Sequence, residues 1–101
     1  MAIVAVSITP IGTGEPSVSR FVAAAQRVLA RYPGLTYRLD PMFTTIQGDL
    51  REVFAAIADM HDAVAEAGSV RISSVIKVDD RRDKEVPMEE KVRSVERHLR
   101  G

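Results

Sequence analysis

Cysteine is absent from the 101 residues, so neither a disulfide nor a thiolate metal site can form. Its absence fits a reducing compartment. Tryptophan is absent too, and two Tyr and three Phe are the only aromatics. That is too few for a stacking platform on nucleic acid. Neither charge sign is in excess, with 14 basic and 14 acidic residues. A surface for nucleic acid or anionic lipid would need a basic excess or block. Long apolar runs are missing as well. The stretch Ala2 to Ile8 falls well short of the roughly 20 residues that span a bilayer, and no basic segment precedes it. These absences lead us to expect a cytoplasmic protein with no nucleic-acid and no membrane partner. At this length we expect one domain over residues 1–101, with a single core.

What is present is a regular alternation of strand and helix patterns. Ala2 to Thr9 is rich in Val and Ile and is bounded by Pro10. Val4, Val6 and Ile8 share one face of that strand, while Ile3, Ala5, Ser7 and Thr9 share the other. Pro10 to Pro16 reads as a loop, and Ser17 is placed to cap the helix that follows. Val18, Phe21, Val22, Ala25, Val28 and Leu29 form its apolar stripe, and Tyr32-Pro33-Gly34 ends it. Leu35 to Leu39 and Phe43 to Gln47 are two strands close enough for a hairpin around Asp40-Pro41.

Asp49 and Glu52 resemble a capping box at the start of a second long helix. Leu50, Val53, Ile57, Met60 and Val64 form its buried face, and Gly68 suits its C-terminal cap. Val70 to Val78 is a fourth strand, with Val70, Ile72, Ser74, Ile76 and Val78 on one face. Asp79 to Glu85 reads as a solvated charged segment of Arg–Asp pairs. Pro87 opens a last helix carrying a narrow stripe of Met88, Val92, Val95 and Leu99.

With right-handed crossovers this order places the first and third strands in the middle of a four-stranded antiparallel sheet. The fold class is α+β: a ferredoxin-like βαββαβ plait with an additional C-terminal helix. Both long helices cover one face. The other would expose Ile3, Phe43 and Val75, an apolar patch of the kind that marks association.

Few residues point to chemistry. His61 and His98 lie on different helices, and Asp79, Asp80 and Asp83 lack the Gly and Glu of a calcium loop, so no metal site is expected. No serine sits in a G-x-S-x-G turn, and Gly12-Thr13-Gly14 lacks the lysine of a phosphate loop. No catalytic residue stands out. His61, beside Met60 in the apolar stripe, is best read as an edge histidine bonded to a neighbour. Its alternative is an acid or base acting on a pyrimidine. The run Thr44-Thr45-Ile46-Gln47 is different. Its hydroxyls and amide need partners if buried. Ordinary strand propensity explains Thr equally well. If the groups converge, they would read the edge of a small heterocycle between walls from Met42 and Phe43. Ser7 and Ser19 are secondary candidates for the same site. Thr44 and Thr45 face opposite ways on a regular strand, so one of them would serve another surface.

Taken with Pro10-Ile11-Gly12-Thr13, Thr44 to Gly48, His61, Gly68 to Arg71, Asp79 to Asp83, Lys91-Val92 and Ser94-Val95, the chain resembles the small thiamine-binding proteins related to YkoF. The resemblance spans nearly the whole chain. It implies a ferredoxin-like fold, a homo-oligomer (dimer or tetramer) assembled through the open sheet face, and no catalysis or required cofactor. It implies thiamine or its hydroxymethylpyrimidine part as ligand, in salvage or transport. The family pattern usually has Glu where this chain has Gln47, which keeps hydrogen bonding and loses the charge. The rival expectation is an interaction or regulatory module of the ACT-like plait type, with no thiamine ligand.

Overall fold

A computed structural model describes residues 1–101. The elements run β1 (Ala2–Ile11), α1 (Ser19–Leu29), β2 (Thr36–Leu39), β3 (Thr44–Gly48), α2 (Leu50–Glu66), β4 (Arg71–Asp80) and α3 (Met88–Leu99). The sheet is antiparallel in the order β2-β3-β1-β4, so the expected plait forms, with the extra C-terminal helix. β1 lies between Thr44–Gly48 and the whole of β4, pairing Val6 with Thr44 and Ile76, and Val4 with Ile46 and Val78.

Alternation on β1 sends Ala2, Val4 and Val6 into the core. They meet Phe21, Ala25, Val28 and Leu29 of α1 and Val53, Ala56, Ile57, Met60 and Val64 of α2. Those helix positions recur every three or four residues, which is why each helix closes the sheet along a single stripe. The register of β3 puts Ile46 in the same layer, completely buried. A one-residue slip would carry that whole row to the opposite face, so burial pins the register.

Asp49 caps α2 as its sequence implies, its carboxylate accepting from the Glu52 N–H at 3.1 Å. At the other end Gly68 takes φ +119°, a conformation that side chains disfavour, and lets the chain turn into β4. α1 differs from expectation. It starts at Ser19, and Ser17 does not cap it. The Val18 carbonyl instead takes the first N–H groups, from Phe21 and Val22, both at 3.0 Å. Arg20 fixes this start: it pairs with Glu15, donates to the Ala67 carbonyl at 2.8 Å and stacks on the Phe21 ring.

β4 also differs from expectation. Val70 precedes it and is fully exposed, and the strand continues through Asp79 and Asp80. Backbone pairing with Ile3 and Ala2 extends it, whatever the charges on its side chains. The remaining charged residues form Arg–Asp pairs: Arg82 with Asp80 and Arg81 with Asp83.

α3 is held only at its start. Met88 is buried, and its N–H donates to the Gln47 Oε1 at 2.6 Å. Lys91 pairs with Asp79 at 2.5 Å. Beyond this turn Val92, Val95 and Leu99 are exposed. The molecule is accordingly elongated, 49 × 28 × 19 Å. No helix is long and apolar enough to cross a membrane.

Two predictions follow from the packing. Ile46→Ala should cost about 2–5 kcal/mol in urea denaturation, because it opens a void in a closed core. Val75→Ala, at an exposed site, should stay within about 0.5 kcal/mol. For α3 the sign comes from Asp79. The Lys91 hydrogen bond, aided by its charge, holds that carboxyl below its ordinary value. A carboxyl depressed in the folded state stabilises above its unfolded value and loses that contribution as pH falls through the depressed one. Amide shifts at the start of α3 should therefore change as pH falls through the depressed Asp79 value, and Asp79→Asn should abolish that step.

Candidate functional site

The hairpin turn Asp40–Phe43 leans over α1 and leaves a cleft between them. The turn is closed by a hydrogen bond from the Asp40 N–H to the Phe43 carbonyl at 2.9 Å. The cleft encloses about 70 Å³. Its apolar walls include Val6, Val22, Ala25, Leu39, Met42, Phe43 and Met60, and its polar groups are Ser7, Gln26, Asp40 and Thr44. Next to it, sharing Val22, Gln26, Leu39, Asp40 and Pro41, is a more open depression of about 590 Å³ that Ser19 also lines. Small-molecule sites usually run to about 300–1,000 Å³, a range the depression reaches and the cleft alone does not.

Thr44 is the polar centre. It is buried on the helix-facing side of β3, opposite Val6, and its Oγ1 accepts from Gln26 Nε2 at 2.8 Å. The threonine hydroxyl keeps its own proton to donate, and the Gln26 carbonyl oxygen is a second acceptor. A donor and an acceptor thus stand side by side against an apolar wall.

The other sequence candidates fall in different places. Ser7 and Phe43 line the cleft with Thr44, and so does Met42, which is 79% exposed at the tip of the turn. Strict alternation would part Met42 from Phe43. They meet because β3 begins only at Thr44, leaving both in the turn. Ser19 lies at the outer depression. Thr45 is on the far face of the sheet, beside Ile3, Ala5, Lys77, Asp79 and Lys91. Gln47 also points there and is engaged with the Met88 N–H, so it acts as the cap that α3 otherwise lacks. His61 is outside the cleft, its Nε2 3.0 Å from the Ser74 hydroxyl. No three His, Asp or Glu side chains cluster closely enough to hold a metal.

Gln26 and Asp40 were not among the sequence candidates. Gln26 carried a signal: it sits four residues after Val22 and three before Leu29, a polar residue flanking an apolar stripe. Asp40 looked only like a turn residue before proline.

Fold and cleft together define a ferredoxin-like domain with a small cleft of mixed polarity between helix and hairpin. A family model described as "Thiamine-binding protein" matches residues 4–96. The chain belongs to that family. It is 45% identical to the UPF0045 protein YqgV of Bacillus subtilis over 102 residues, covering 98% of each. It is 46% identical over 98 residues to the UPF0045 protein MT1949 of Mycobacterium tuberculosis, covering 96% of this chain and 93% of the relative. Among solved structures, MJ1052 of Methanocaldococcus jannaschii superposes with a TM-score of 0.85 at 35% identity, covering 94% of this chain and 95% of that one. A candidate thiamine biosynthesis/salvage protein of Thermotoga maritima shares the fold, with a TM-score of 0.76 at 17% identity over 93% of this chain and 97% of that one.

The capping role of Gln47 is open to test. Gln47→Leu removes the acceptor, and should cost about 1–2 kcal/mol locally and speed amide exchange through Met88–Leu99. Gln47→Glu keeps an acceptor and should leave exchange slow.

Proposed function

We propose that this chain binds thiamine or its hydroxymethylpyrimidine part in the cleft between α1 and the Asp40–Phe43 turn, without catalysing a reaction. The observation that carries the reading is the Gln26–Thr44 pair. It presents one donor and one acceptor at the floor of an apolar slot, in a chain of the thiamine-binding family. An aminopyrimidine edge offers the complementary pattern. Its ring would lie between Phe43 and Met42 on one side and Val22 and Ala25 on the other. Ser7 is the secondary polar contact within the slot, and Ser19 serves the part of the ligand that projects outward. Thr45 and Gln47 have no role in this contact, because both face the other side of the sheet. No cofactor is needed for binding of this kind, and a role in vitamin salvage or transport would follow from it.

The open face supports self-association as a companion property. Val75, and Val92, Val95 and Leu99 along α3, are apolar and exposed. A second copy of the chain laid on the sheet would cover them. This is also the observation that favours the rival reading, a regulatory or interaction module assembled through its sheet. The two readings differ in the cleft: a pure assembly module has no use for it.

Calorimetric titration of the intact protein with thiamine and with hydroxymethylpyrimidine tests the proposal. Saturable heat is expected for at least one, and Thr44→Val should weaken it about five- to tenfold by stranding the Gln26 amide. A folded protein that gives no heat with either ligand at roughly millimolar concentration, an affinity near the −4 kcal/mol floor, would leave the assembly reading standing alone.

A further inference from the structure

We infer that Asp40 selects ligand charge, so that the cleft prefers a ring bearing a positive charge over a neutral one. The inference rests on the reading of this cleft as the ligand site. Of all the side chains lining the cleft and its outer depression, Asp40 alone is ionisable. It lines both, so a ligand that fills both spaces lies beside it.

The turn holds Asp40 in position through its own N–H, which donates to the Phe43 carbonyl at 2.9 Å. Its carboxylate has one ionic partner, Arg38, at 3.3 Å through a single nitrogen. Both side chains are about half exposed, at 49% and 43%. Exposed pairs of this single-contact kind contribute little, so a ligand cation can take the place of Arg38. Leu39, Pro41, Met42 and Val22 beside it are apolar, so the carboxylate is the one charged group of the lining that a cation meets.

No basic side chain lines either space, so an anionic substituent meets the Asp40 carboxylate and, beside it, only Arg38, which that carboxylate already engages. The expected order is a cationic heteroaromatic ring first, the neutral pyrimidine next and a phosphorylated form last.

Three ligands measured calorimetrically against three proteins decide the matter: thiamine, neutral hydroxymethylpyrimidine and thiamine monophosphate against wild type, Asp40→Asn and Arg38→Ala. Wild type should prefer thiamine over the neutral pyrimidine by about tenfold, a preference that shrinks as salt is raised. Asp40→Asn, its fold checked by circular dichroism, should lose that preference, weakening thiamine more than the neutral pyrimidine. Arg38→Ala removes the competing cation and should tighten thiamine binding severalfold. If both ligands bind and Asp40→Asn leaves their ratio unchanged, the inference is overturned and the cleft reading survives. Arg38→Ala weakening thiamine would also overturn it. If wild type binds none of the three, the cleft reading falls, and the inference with it.

Discussion

Both crossover helices lie on one side of a four-stranded sheet, and the rest of the molecule follows from that arrangement. Right-handed connections from β1 to β2 and from β3 to β4 carry α1 and α2 to the same face. The large buried side chains other than Met88 then gather between those helices and the sheet, where Val4, Val6 and Ile46 form the floor. The opposite face receives no layer from its own chain except the first turn of α3. An amphipathic helix with nothing to lie on, next to a sheet face with little over it, is a direct result.

The cleft arises at a weak point of the same design. α1 covers the β1–β3 side of the sheet, but β2 is a short edge strand, exposed along its whole length. Beyond it the Asp40–Phe43 turn has no sheet to rest on and folds towards α1. The space between them is closed by side chains, not by backbone pairing. Thr44 is the last residue on that side still held in the ladder, paired with Val6 and Leu39. The polar centre of the cleft therefore belongs to the rigid sheet, while its outer wall belongs to a turn. That division suits a binding site: orientation comes from fixed groups, and entry from a part that can yield.

Much of the architecture was legible in the sequence because periodicity reports burial. Val4 and Val6 on β1, and Val53, Ile57, Met60 and Val64 on α2, announced their faces. So did Asp49 as a cap. The misses have specific causes. α1 begins at Ser19 because backbone and Arg20, not the Ser17 hydroxyl, organise its first turn. β4 runs to Asp80 because pairing with Ala2 and Ile3 outweighs the low strand preference of aspartate. The residues of the candidate cleft were legible in part. Thr44 and its neighbours Ser7, Met42 and Phe43 do meet in one cleft, but Thr45 and Gln47 do not join them. Alternation had already set Thr44 and Thr45 apart. What it could not reveal was Gln26 and Asp40, which reach the cleft only when α1 packs beside the hairpin.

The alternation along β3 has a consequence for how such a protein can diversify. Thr44 and Ile46 look into the helical layer, while Thr45 and Gln47 look out over the bare face that α3 begins to cover. Neighbouring letters of one short word are thus read by two different audiences. Thr44 lines the cleft and Ile46 belongs to the core, whereas Thr45 and Gln47 border the outer face and the start of α3. Under the proposed reading, a substitution at Thr45 or Gln47 could therefore remodel the outer face while the Thr44 cleft stays as it is.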